Sequence, residues 1–250
     1  MSFVLALAQP SFGLVCADTR LSVKPRNGQE LTSDDGIFEL SLPDGTTTRI
    51  GPEGRKVRKL RRGWIASPSI RFAMAQWGHR LNALESTDID DVERALREEY
   101  AEAEEKLYES FGNPSDELVK SAIFLLQDSG ATFEVANVRF RDESVDVGRA
   151  DYYFHFPSDS SAEVVTATNA QMTHNFLPPR DTAGLCAMVR FLAKMFQDVH
   201  RASNQVSNRI EMGLMLRTGP GQIKNFHLLA SNPEILAAYD TQVFQMLRPV

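Results

Sequence analysis

Met1-Ser2-Phe3-Val4-Leu5-Ala6-Leu7-Ala8-Gln9-Pro10-Ser11-Phe12-Gly13-Leu14-Val15-Cys16-Ala17-Asp18-Thr19-Arg20 opens the chain. Two apolar runs flank a Pro/Ser/Gly turn, which predicts a β-hairpin. The run over 3–8 is continuous rather than alternating, as in a strand buried on both faces. Ser2 follows the initiator methionine, and so small a side chain favours removal of Met1. Removal leaves a hydroxyl and a free α-amine on one residue at the head of a strand. An α-amine titrates near ~7.7–8.0, so a useful fraction is neutral at cytoplasmic pH. Such a residue can supply both nucleophile and base.

Beyond the hairpin, residues 21–36 are polar and turn-rich and read as loop. Residues 37–50 read as a second hairpin turning at Pro43-Asp44-Gly45. Strands are expected at 55–60 and 63–67, on either side of Arg61-Arg62. A helix capped by Ser67 follows, with Ile70, Met74, Trp77, Leu81 and Leu84 as its apolar stripe. Asp88 caps a longer helix ending at Gly112, whose acidic face (Glu98, Glu99, Glu102, Glu104, Glu105) reads as solvated. Strands are then predicted at 121–127, 132–140, 144–147, 152–156 and 163–168. Asp181 opens a helix carrying Leu185, Met188, Leu192, Met195 and Val199 on one side. Two strands, 209–217 and 222–230, and a C-terminal helix over 232–246 complete the chain. Segregated runs of strands and helices predict layers rather than a βαβ alternation. Two sheets face to face, with helices outside each, would use every apolar stripe.

At 250 residues, one domain spanning 1–250 is the expectation, with the hairpin at 37–50 as an insertion. The net charge of −6 argues against wholesale nucleic-acid binding. The basic run over 55–62, six basic residues in eight, has no interleaved aromatics to stack bases. Cys16 and Cys186 fit neither a disulfide framework nor a zinc site and read as small buried hydrophobes. The histidines (79, 155, 174, 200, 227) form no spaced ligand set, and no metal is expected. The N-terminal apolar run is too short to span a membrane and lacks a basic n-region, so a soluble cytoplasmic protein is expected.

Taken together, these residues resemble the proteasome-type N-terminal-nucleophile (Ntn) hydrolases. Ser2 stands where that family usually has threonine. Asp18-Thr19-Arg20 stands where it has Asp-Ser-Arg, at the family's separation from the nucleophile. Arg55-Lys56-Val57-Arg58-Lys59-Leu60 resembles the Lys-Lys-Val-Arg-Arg-Leu stretch of the bacterial ring protease of this fold. The order of helices and strands matches the family's αββα sandwich. The resemblance is to a distant bacterial homologue of the proteasome β-subunit rather than to a standard subunit.

The resemblance implies that Ser2 Oγ attacks a peptide carbonyl and that Ser2's own amine takes the proton. Lys56 stands beside Oγ as a positive charge, Asp18 pairs with Lys56, and Arg20 holds the end of the hairpin. It implies no cofactor, a peptide or protein substrate and a homo-oligomeric ring, and it leaves room for an unfoldase partner. No propeptide is expected, since Ser2 directly follows Met1.

The pattern departs from the family at three places. The family's glycines after its fourth strand, one of which lends an oxyanion N–H, are replaced by Ala66-Ser67-Pro68-Ser69-Ile70. Pro68 has no N–H, which leaves Ser69 or Ile70 as donor. The family's Gly-Ser-Gly run is replaced by Thr166-Ala167-Thr168-Asn169, and its Asp-x-x-Ser falls near Ser203-Asn204-Gln205-Val206-Ser207. Thr168, Ser203 and Ser207 are therefore the candidates to support the amine. Two alternatives stay open at this stage: a catalytically inactive assembly protein of the same fold, and a nucleic-acid-binding module using 55–62.

Overall fold

Alternation along the first hairpin sorts its side chains into two cores. β1 (Val4–Ala8) and β2 (Phe12–Asp18) pair antiparallel, with Val4 opposite Ala17 and Ala8 opposite Gly13. Leu5, Leu7, Phe12, Leu14 and Cys16 join one core, while Val4, Ala6, Ala8, Val15 and Ala17 join the other. Both faces are covered, which is why the run is continuously apolar.

The computed structural model describes residues 2–23, 31–33, 38–41, 47–50, 56–68, 80–84, 90–92, 94–95, 98, 122–141 and 144–250. Within them the hairpin is the middle of a six-stranded sheet. β12 (Tyr152–His155) flanks β1, and β13 (Arg209–Gly219), β14 (Gln222–Ser231) and β15 (Arg248–Pro249) follow β2. A second sheet of five strands runs β11 (Ser144–Arg149), β10 (Phe133–Arg141), β9 (Ala122–Asp128), β8 (Gly63–Ala66), β7 (Val57–Leu60). All pairings are antiparallel.

The two sheets face each other across Val4, Ala6, Val15, Ala17 and Met215 on one side and Val57, Trp64, Ala66, Phe124, Leu126, Phe133 and Val135 on the other. Small residues on the first sheet make room for Trp64. A Cβ on Gly213 would lie 2.2 Å from the indole, so the largest buried side chain sits where β13 has none.

Helices cover the outer faces. α1 (Ala162–Asn175) and α2 (Thr182–Ala202) pack on the six-stranded sheet. The predicted stripe Leu185, Met188, Leu192, Met195 and Val199 is buried throughout, and Asp181 caps the helix by accepting from the Gly184 N–H. On the other side, residues 80–83 and 90–92 are helical. Leu81 and Val92 are buried and line a small cavity with Leu60 and Leu125 on the outer face of the second sheet. Glu98 is exposed and pairs with Arg80. Of the two helices predicted over 67–84 and 88–111, residues 69–79 (with His79), 88–89, 93, 96–97 and 99–111 lie outside the described residues. No helix among the described residues is long and apolar enough to cross a membrane.

Three expectations change. Residues 163–168 are not a strand but the first half of α1, whose Ser161 side chain accepts from the Val164 N–H. The C-terminal helix is two short ones, α3 (Asn232–Ala237) and α4 (Asp240–Met246), parted at Ala238-Tyr239. The segment read as loop over 21–36 contains β3 (Leu21–Val23) paired with β4 (Leu31–Ser33). Farther on, β5 (Phe38–Ser41) pairs with β6 (Thr47–Ile50), with Phe38 opposite Ile50; the predicted turn between them lies outside the described residues.

Candidate active site

Antiparallel order gathers the start of β1, the end of β2 and the start of β13 at one end of the first sheet. The start of β7 arrives beside them from the second sheet, where Val57 N–H donates to Glu211 of β13 at 3.3 Å. Ser2, Asp18 and Lys56 therefore meet, although 54 positions separate Ser2 from Lys56.

Asp18 is fully buried. Its Oδ2 accepts from the Phe3 N–H at 2.9 Å and from Lys56 Nζ at 3.1 Å. Its Oδ1 accepts from the Arg20 N–H at 2.9 Å, the Ser207 N–H at 3.3 Å and Lys56 Nζ at 3.2 Å. A carboxylate out of water needs this many donors and a cation to persist there. Lys56 Nζ also donates to Ser2 Oγ. Both Ser2 and Lys56 are buried, 2% and 5% exposed.

Ser2 is placed by its neighbour. Phe3 is buried among aromatic rings, with Phe196 of α2 at 4.6 Å, Phe156 at 5.1 Å and Phe154 at 5.7 Å between centroids. That anchor and the Phe3 N–H bond to Asp18 fix the direction in which the chain end leaves β1.

Burial pushes the Lys56 ammonium below the ordinary lysine value. Asp18 opposes the push through its charge and hydrogen bonds, Glu211 more weakly in the same sense, and Arg20 adds to it. Asp18 thus favours the charged form of Lys56, but burial is the larger influence. The consequence for stability has a definite sign. Between the folded value for Lys56 and the ordinary value near ~10.4, the unfolded chain binds more protons. Stability should therefore rise with pH across that window. Thermal unfolding at a series of pH values tests this: the rise seen in the unsubstituted chain should be missing from Lys56→Met.

The surrounding network is built from the loop after α2. Ser207 Oγ accepts from the Thr19 N–H at 3.0 Å and lies 3.0 Å from Thr19 Oγ1. The Arg20 guanidinium donates to the Asn204 carbonyl, holding the end of the hairpin to that loop. Ser203 Oγ donates to Asp159 Oδ1 at 2.6 Å, and the Asn204 N–H donates to Oδ2 of the same residue at 3.1 Å.

No protein-family model matches the chain. No curated protein matches it either. Solved structures do. The Anbu (Gly-1) mutant from Hyphomicrobium sp. strain MC1 is 9% identical, with 98% of this chain and 96% of that chain covered at a TM-score of 0.56. BPH from Thiobacillus denitrificans, in complex with epoxomicin, is 12% identical, with 87% of this chain and 100% of that chain covered at a TM-score of 0.51. The chain has the fold of these proteins. It is the αββα sandwich predicted from the sequence, and at such identities the likeness speaks for fold and not for chemistry.

Within that fold the predicted residues divide. Ser2, Asp18, Lys56, the Arg20 backbone and Ser207 converge. Ser203 stands one step away, joined through Asn204 and Arg20. Thr168 does not take part: it sits inside α1, and its hydroxyl donates to the Val164 carbonyl at 2.8 Å. A strand over 163–168 would have freed that hydroxyl; the helix uses it on its own preceding turn. Ser69 and Ile70 lie outside the described residues.

Sequence reasoning missed Phe3, Asp159 and Glu211. Asp159 lies in the Pro157–Ser161 turn, where an acid between serines signals only a turn. Glu211 is the one acid of β13, set in the apolar run 210–216, a signal of burial but not of its role. Cys16 and Cys186 are both buried and free. Among the described residues no group of three or more His, Cys, Asp or Glu is arranged to hold a metal ion.

Proposed function

We propose that the chain is an N-terminal-serine hydrolase of peptide or amide bonds, with Ser2 as nucleophile after loss of Met1. The observation that carries this reading is the contact of Ser2 Oγ with a buried lysine that is itself paired to a buried aspartate. A hydroxyl beside an amine, in a water-poor site, is the arrangement that activates a nucleophile.

In this reading Ser2 Oγ attacks the substrate carbonyl. Its proton passes to a neutral amine: Ser2's own α-amine, or Lys56 Nζ, which burial makes easier to deprotonate. That proton is then given to the leaving amine as the C–N bond breaks. Water hydrolyses the resulting ester and restores the hydroxyl. The Ser69 or Ile70 N–H serves as oxyanion donor, and no cofactor enters. The protein acts in the cytoplasm as a homo-oligomer, which light scattering on the purified chain would test.

Fluorogenic peptide amides test the reading. Ser2→Ala should lose turnover by about 10³-fold or more, while Ser2→Thr should keep much of it. Turnover unchanged in Ser2→Ala, or none in the unsubstituted chain lacking Met1, would contradict the proposal.

A further inference from the structure

A second buried acid stands near the site. Glu211 lies on β13 with its residue only 1% exposed, and it points into the space between the two sheets. Oε2 accepts from the Val57 N–H at 3.3 Å, one residue beyond Lys56. Oε1 is bonded at 2.9 Å to His227 Nε2, which donates when the acid is ionised. His227 in turn stacks on Trp64, its ring nearly parallel at 5.9 Å. Gly213, directly opposite His227 in the β13–β14 ladder, leaves the room that Trp64 fills.

An isolated carboxylate between sheets costs several kcal/mol, and an apolar residue would pack there more cheaply. Stability therefore gives little reason for Glu211. Position gives a better one. The carboxylate holds the β7 backbone at the point where Lys56 leaves it, and it brings a second negative charge towards the ammonium. The charged groups that face Lys56 among the described residues are Asp18 from β2, Arg20 just after it and Glu211 from β13. Of these only Asp18 touches Nζ.

We propose that Glu211, held by His227 and the Val57 N–H, is a positioning residue that aims Lys56 at Ser2 and sets its readiness to take up a proton. The proposal rests on the reading of Ser2 and Lys56 given above. His227 fixes the carboxylate in turn, through a ring that Trp64 keeps from rotating.

Direct titration of Lys56 by ¹⁵N NMR tests it, in the full chain and in Glu211→Gln. Loss of the negative charge makes the ammonium less favourable, so the Lys56 midpoint should fall by about one pH unit, the scale on which a neighbouring charge moves a buried amine. The rate at which a peptide epoxyketone captures Ser2 should move to lower pH in the same variant. A purely structural Glu211 would alter thermal unfolding but leave the Lys56 midpoint in place, and that result overturns the proposal. If Glu211→Gln alone does not fold, Glu211→Gln combined with His227→Gln removes the same charge while letting the two amides bond each other. Absence of Ser2 capture in the unsubstituted chain would refute the hydrolase reading, and the Lys56 midpoint would still decide the role of Glu211.

Discussion

Lys56→Met is expected to lower the unfolding midpoint by roughly 10 °C and to abolish reaction at Ser2. Asp18 has no exposed surface. Methionine matches the length of the lysine stem but brings no charge. Asp18 keeps its backbone donors from Phe3, Arg20 and Ser207 and loses its cation. A buried charge stripped of its partner costs about 3–5 kcal/mol, and in a chain of this size each kcal/mol lowers the midpoint by about 2–4 °C. Removing both charges, in Lys56→Met with Asp18→Asn, should recover a good part of that loss, because the orphaned carboxylate is what the single variant cannot tolerate. Reactivity should not recover with it. Circular dichroism melts of the two variants make the comparison. A single variant that melts with the parent would mean that the pair is not buried as described.

Gly63→Ala should be still less tolerated, for a reason remote from chemistry. A Cβ at Gly63 would lie 2.0 Å from the Leu126 carbonyl oxygen and 3.1 Å from the Gln127 Cα. These are backbone atoms of β9, paired to β8 in register with Gly63 opposite Gln127. No rotamer change can relieve the contact, so β8 must leave the ladder. The cost should exceed the ~1–3 kcal/mol usual for one added methylene, because here the clash is with backbone. Loss of the β8–β9 pairing would also shift β7 and Lys56, which β8 holds. Soluble yield and the thermal midpoint of Gly63→Ala check this. A variant that folds and melts like the parent would contradict the described register.

Much of the fold is legible in the sequence. The hairpin over 3–18, α2 and the β13–β14 pair announce themselves through continuous apolar runs, a 3.6-residue stripe with an Asp cap, and a Gly-Pro-Gly turn. The failures have local causes. Val164-Val165-Thr166 carries strand propensity, yet Ser161 caps a helix there and the packing of Val164 and Met172 on the sheet decides the outcome. The break at Ala238-Tyr239 has no glycine or proline to mark it, and Arg190 of α2 helps to hold it by donating to the Ala238 carbonyl. Of the site, Ser2 is legible from its place after Met1, while Asp18 and Lys56 are legible only through the family resemblance. Periodicity would have called Asp18 a turn residue and Lys56 part of a basic face. Glu211 and His227 stayed hidden because their meaning depends on which strands face one another, and no local pattern states that.

In the proposed enzyme a free amine and a hydroxyl on Ser2 meet the Lys56–Asp18 pair. A peptide epoxyketone offers its ketone to a hydroxyl and its epoxide to an amine, so it reports both groups at once. The expected result is an intact mass equal to the chain without Met1 plus one inhibitor, with fragmentation placing the addition on Ser2. A chain that keeps Met1 and stays unmodified, or an adduct on any other residue, would contradict it.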